Sequence, residues 1–164
     1  MKKLISGILI CFLSSPLFAQ ISLDKFMSIE LGSSISTVKQ IFLGEKWEER
    51  NLGTENLYFF SSYLGPSAVT ASFLITKANK LSMKSISNGV IKKDSALELF
   101  NNLKETLIKK FGEKFERKNT REKIFLVWKI GKYGTITLSN DNEKTILVCL
   151  ESIGIPFNKD NNGR

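Results

Sequence analysis

Two eight-residue stretches constrain the fold of this chain more than any other feature. Gly44 opens the run GEKWEERN and Gly112 opens GEKFERKN; five of the eight positions are identical, Trp47 stands against Phe115, and Arg50 stands against Lys118. The two glycines lie 68 residues apart. A match at one fixed offset, with similar patterns before and after it, is the mark of an internal repeat. The 164 residues suit one compact domain. No linker or low-complexity stretch separates the two units, so they are expected to share a single core.

Helical periodicity precedes each copy. Ala96, Leu97, Phe100, Leu103, Leu107 and Phe111 recur at spacings of three and four, which predicts a helix over 94–111 with Ser95 and Glu98 as a capping box and Gly112 as its exit. A shorter helix is predicted over 35–43, capped by Ser33 or Ser34 and ended by Gly44, with Val38, Ile41 and Phe42 on its buried face. Strand patterns follow each helix: 46–51, 57–64, 68–76 and 80–87, then 114–118, 124–130, 133–139 and 144–151. Val69, Ala71, Phe73 and Ile75 alternate along the third of these strands, which marks one buried face. GKYG at 131–134 and NDNE at 140–143 have the chemistry of tight antiparallel turns. The expected fold class is α+β: two tandem α-β-β-β-β repeats, about 31–90 and 94–152, forming antiparallel sheet with helices packed on one face.

A helix followed by four antiparallel strands, used twice, resembles the β-lactamase-inhibitor-protein fold. The approach to the first helix, Leu31-Gly32-Ser33-Ser34-Ile35-Ser36-Thr37-Val38, is similar to a pattern in small outer-membrane-assembly lipoproteins. There a Gly precedes a capping Ser or Thr, and a Val lies on the buried helix face. Thr37 stands where an acidic residue or Gln is usual, and the disulfide of each inhibitor repeat has no counterpart here. The resemblance implies a saddle of antiparallel sheet with helices on one face and a concave face left for a partner, which it does not identify.

The first 19 residues, MKKLISGILICFLSSPLFA, set Lys2 and Lys3 ahead of a short apolar stretch, Leu4–Leu13, and Pro16 then introduces a break before Ala19. That is the layout of a secretory signal peptide cut at or near Ala19, and the stretch is short for a bilayer span. Ile10 before Cys11 does not suit lipidation. Cleavage leaves Cys149 as the sole cysteine, so no internal disulfide is expected; its run TILVCL suggests a buried thiol. The expected protein is thus periplasmic or secreted, with a domain over 20–157, a polar disordered tail over 158–164, and no transmembrane segment after cleavage.

Charge is uneven. Residues 91–132 hold twelve Lys or Arg against six Asp or Glu. Lys109, Lys110, Lys114, Arg117, Lys118, Arg121 and Lys123 gather around the end of the second helix and the strand after it. Such a surface attracts anionic lipid headgroups, cell-wall polymers or an acidic protein, although a solvated helix face has the same composition. Nucleic acid is not expected: the chain reads as exported and holds arginine only at 50, 117, 121 and 164. The run Leu57–Leu64 is dense in aromatics, and Tyr58, Phe60 and Tyr63, with Trp128 at the repeat position of Phe60, are the candidate partner-binding side chains.

Catalytic equipment is missing. The chain has no histidine, which removes Ser-His-Asp and Cys-His arrangements and the commonest metal ligand. Ser22–Lys25 and Ser36–Lys39 each match S-x-x-K, but such matches arise by chance in a chain this rich in Ser and Lys, and the accompanying motifs are absent. Glu45, Glu48, Glu49, Glu113 and Glu116 lie in charged stretches where burial would not raise a carboxyl toward neutrality. No catalytic, cofactor or metal residue is therefore assigned. The leading expectation is an exported, non-enzymatic protein-binding module, an inhibitor or immunity-type partner of an envelope or effector protein. The alternative is a periplasmic envelope-maintenance protein that touches anionic lipid or cell wall through its basic surface.

Overall fold

The computed structural model describes residues 20–89, 93–131, 134–141 and 144–151, the last by its backbone. The expected signal peptide, the expected tail and parts of the two expected turns lie outside those residues. Three helices, α1 (Leu23–Ser28), α2 (Ile35–Ile41) and α3 (Lys93–Phe111), accompany eight strands. The strands are β1 (Glu48–Asn51), β2 (Glu55–Leu64), β3 (Ser67–Thr76), β4 (Leu81–Asn88), β5 (Glu116–Asn119), β6 (Ile124–Ile130), β7 (Gly134–Asn140) and β8 (Thr145–Glu151). All eight form one antiparallel sheet in the order β1-β2-β3-β4-β8-β7-β6-β5. Each set of four runs inward from an edge, so β4 meets β8 in the middle, with Ser85 opposite Val148 and Ile86 opposite Leu147.

Alternation decides which face of the sheet is buried. Phe60, Ala71, Ile86, Leu147, Leu138 and Leu126 form one cross-strand row and are all buried. The helices cover this face. Phe26 of α1 and Phe42 at the end of α2 each reach Phe73 at 5.9 Å, and α3 lays Ala96, Leu99, Phe100, Leu103 and Leu107 against the other half.

Two sequence expectations about α3 need correction. The helix already includes Lys93, so Ser95 lies inside it and does not cap it. Leu97 is 44% exposed, and Leu99 takes its place in the core. Leu97 sits about 100° around the axis from Ala96, off the stripe that Ala96, Phe100, Leu103 and Leu107 define. Gly112 ends α3 as expected, with φ of +80°, whereas α2 stops at Ile41 with Phe42 as its C-cap, two residues short of the expected end, and Gly44 adopts φ of +89° in the turn that follows.

α1 was not anticipated. It is six residues long, with Ser22 as its N-cap accepting from the Lys25 amide. Ser34 caps α2, accepting from the Thr37 amide, and its hydroxyl meets that of Ser36 at 2.7 Å. Both S-x-x-K matches thus belong to helix starts. The repeated octets lead from the helix exits into the two edge strands. β1 and β5, Glu-Glu-Arg-Asn and Glu-Arg-Lys-Asn, are short, charged and exposed throughout, the composition with which sheets blunt their edges.

Candidate functional site

Three of the four aromatic side chains expected at a contact surface are buried under the helices. Phe60 is 0% and Trp128 1% exposed, and Tyr58 is buried with them. Their even-numbered positions share the core parity, and each finds partners there. Phe60 packs against Trp47 and Phe42 with ring centroids at 4.7 and 5.2 Å. Trp128 packs against Phe115 at 4.9 Å and donates its indole N–H to the Gly112 carbonyl at 3.0 Å. Tyr58 donates its hydroxyl to Glu49 Oε1 at 2.8 Å while the Lys39 ammonium lies 4.8 Å from its ring. An aromatic contact surface made of Tyr58, Phe60 and Trp128 is therefore excluded. Tyr63 alone of the four is half-buried, on the opposite parity.

That opposite face lies away from the helix contacts named above. One cross-strand row on it reads Leu57, Leu74, Met83, Leu150, Thr135 and Lys129; the next reads Phe59, Ser72, Ser85, Val148, Thr137 and Val127. Leu150 is 39% exposed and its neighbours are half-buried. In the four central strands, β3, β4, β8 and β7, the only charged side chain described is Lys84, and it points into the core. Charge returns at the rims, where Glu48 and Arg50 pair opposite Phe59 and Leu57, and Glu116 and Lys118 opposite Val127 and Phe125. At one corner a cleft of about 350 Å³ opens beside Tyr63, lined also by Ser61, Ala68, Thr70 and Gly89.

The seven basic residues singled out in the sequence are all exposed. Lys109 and Lys110 end α3, Lys114 follows it, Arg117 and Lys118 belong to β5, and Arg121 and Lys123 lie in the turn to β6. Lysines in the last turn also complement the helix dipole. Lys110 reaches Asp24, and Lys123 reaches Asp141, each at 3.9 Å.

Lys84 is the residue the sequence reading missed. It is 3% exposed, and its ammonium donates to the carbonyls of Phe26, Met27 and Ile29 at 2.8, 3.2 and 2.6 Å. These are C-terminal carbonyls of α1 and its cap, groups a helix cannot satisfy internally. Burial drives the ammonium down to about 8; Cys149, its cross-strand partner, opposes that and Lys110 adds to it. The Cys149 thiol, buried as expected, is pushed up to about 11 by the same burial, against the pull of Lys84. The signal was there: Lys84 shares the parity of Ile86. Glu45 is half-buried, and burial raises its carboxyl, contrary to the expectation for that stretch.

Among the described residues no three of His, Cys, Asp and Glu come together as a metal site, and no helix is long and apolar enough to cross a membrane. Comparison with known proteins returns no match to a protein family, a curated protein or a solved structure.

Proposed function

We propose that the protein is an exported protein-binding module, of the inhibitor or immunity type, that engages its partner through the open face of the eight-stranded sheet. The observation that carries this reading is the absence of charge from that face across β3, β4, β8 and β7, among the described residues, in a chain with 24% charged residues. A sheet face that only meets water commonly carries charged side chains in its alternating positions. Here hydroxyls and half-buried apolar groups fill them, while the charged residues stand at the rims, the arrangement of an interface core and its border. The same reading holds that the two helix-and-four-strand units arose by duplication. The inward-running strand order and the paired aromatic contacts on each side support it.

The test is a pull-down with residues 20–164 as bait from envelope extract and culture supernatant, washed from low to high salt, beside Ser85→Arg as a blocked bait. One stoichiometric protein held at high salt by the first bait and lost with the second is the expected result. Equal capture by both baits removes the open face from consideration.

A second reading rests on the exposed basic residues from Lys109 to Lys123, which suit contact with anionic lipid or cell wall. It predicts salt-sensitive cosedimentation with anionic vesicles, weakened by Lys114→Glu with Lys118→Glu. Vesicles that leave the protein in the supernatant at low salt dispose of it.

A further inference from the structure

We infer that residues 20–33, α1 with its flanks, form a proton-linked strap that opens from the helix face while the sheet stays folded. The strap is fastened at both ends and clamped in the middle. The Ile21 amide donates to the Tyr63 carbonyl at 2.8 Å; Gly32 donates to Leu81 and Leu81 to Ser33, each at 2.8 Å. Between them Ile21, Phe26 and Ile29 are buried, with Phe26 against Phe73. A helix of six residues has no stability of its own, so α1 exists only while docked.

Docking carries an opposing term that the sheet does not. It strips water from the Lys84 ammonium, and no carboxylate pairs with that ammonium among the described residues. The groups that face it are the three α1 carbonyls, the Phe26 ring at 5.1 Å, the neutral Cys149 thiol from β8, and the like charge of Lys110 from α3. Asp24 of α1 is turned to the surface beside Lys110, and Lys25 is exposed. Carbonyl dipoles compensate a desolvated charge only in part. Opening returns the ammonium to water, so this segment has a route to local unfolding that the central strands lack. It uncovers Phe73, Lys84 and Cys149 and releases the Tyr63 carbonyl at the margin of the open-face cleft. Because the proton is held more weakly when the strap is closed, closure tightens as pH rises above about 8.

Amide exchange read by mass spectrometry at pH 7, 8 and 9.5, corrected for intrinsic rates, tests this on the whole chain. The expected result is an opening constant for 23–29 at least tenfold above that of β3 and β4, falling about fourfold from pH 8 to 9.5, where ionisation of the uncovered Cys149 thiol offsets part of the Lys84 effect, and little from pH 7 to 8. In Lys84→Met and in Lys84→Gln, of which either folded variant suffices, that fall disappears. Site-resolved alkylation of Cys149 at fixed pH should follow the same opening constant across the wild type and variants. Exchange of 23–29 only in step with β3 and β4 overturns the strap. An unchanged pH response in the Lys84 variants overturns the proton linkage.

Discussion

Trp47 meets Phe60 edge-on with ring centroids 4.7 Å apart, and 68 residues further along Phe115 meets Trp128 at 4.9 Å. In the first unit the residue beside the helix exit is the larger ring; in the second the strand residue is. The summed size of each pair is the same, and summed size is what a close-packed interior holds fixed.

Exchanging the rings within the first pair should therefore be tolerated better than changing one. Trp47→Phe leaves a void and Phe60→Trp overfills the same space, each destabilising by about 1–2 kcal/mol. The double variant copies the arrangement of the second unit and should recover at least about 1 kcal/mol of their sum. Urea unfolding followed by far-ultraviolet circular dichroism gives the three values. Simple additivity would mean the two pairs are not equivalent.

Stability against pH should pass through a maximum on the alkaline side. Lys84 has its folded value lowered to about 8, so between there and its ordinary 10.5 the unfolded chain binds the extra proton and stability rises with pH. Over that span the gain is at most roughly 3 kcal/mol. Cys149 acts in the opposite sense: its thiol is raised from 9 to about 11, so between those values the folded chain holds the extra proton and stability falls. The sum rises from pH 8 to 9, is nearly level to 10.5 and declines beyond. Urea midpoints from pH 7 to 11 measure the curve. Lys84→Met should lose the rise, and Cys149→Ala the contribution of the thiol to the decline.

A buried polar cluster ties the start of α3 to the sheet. Thr145 Oγ1 donates to the Ala96 carbonyl at 2.7 Å and accepts from Asn140 Nδ2 at 2.9 Å, while its amide donates to Asn88 Oδ1 at 2.6 Å. Thr145→Val keeps the shape and removes the hydroxyl that accepts from Asn140 and donates to Ala96. The expected loss is about 1–3 kcal/mol, since the groups left behind are buried. Thr145→Ser, which retains the hydroxyl, should cost less in the same urea titration. A Val variant as stable as the wild type would show that the cluster contributes nothing net.

Much of this was legible in the sequence because it rests on period. The alternation of Val69, Ala71, Phe73 and Ile75 marks the buried face of β3, and Gly112 marks the end of α3. What escaped notice has no period to read. α1 is too short to show one, and it forms because Phe26 and Ile29 find a place on the sheet. Lys84 reads as a surface lysine until α1 is present to supply the carbonyls it caps. The run Leu57–Leu64 was legible as dense in aromatics. Which of its rings are buried depends on where Trp47 and Phe42 come to lie, and that is a tertiary matter.

The repeated octets make one further claim that can be checked directly. Their last four residues become edge strands, and edges invite pairing with other chains unless charge prevents it. In β5, Glu116 is engaged by Lys129 at 2.7 Å, whereas Arg117 and Lys118 are exposed along the edge. Arg117→Val with Lys118→Val turns four residues of charged edge into one with high strand propensity and little to repel a neighbour. The monomer's stability should change by less than about 1 kcal/mol, because exposed side chains contribute little to it. Its solubility should fall sharply instead. Light scattering at increasing concentration ought to show self-association by the double variant where the wild type remains unassociated. Moving the same two valines to exposed helix positions of α3, Asn101 and Glu105, should have no such effect, which separates edge pairing from general hydrophobicity. If both variants associate alike, the charged octets are not guarding the edges.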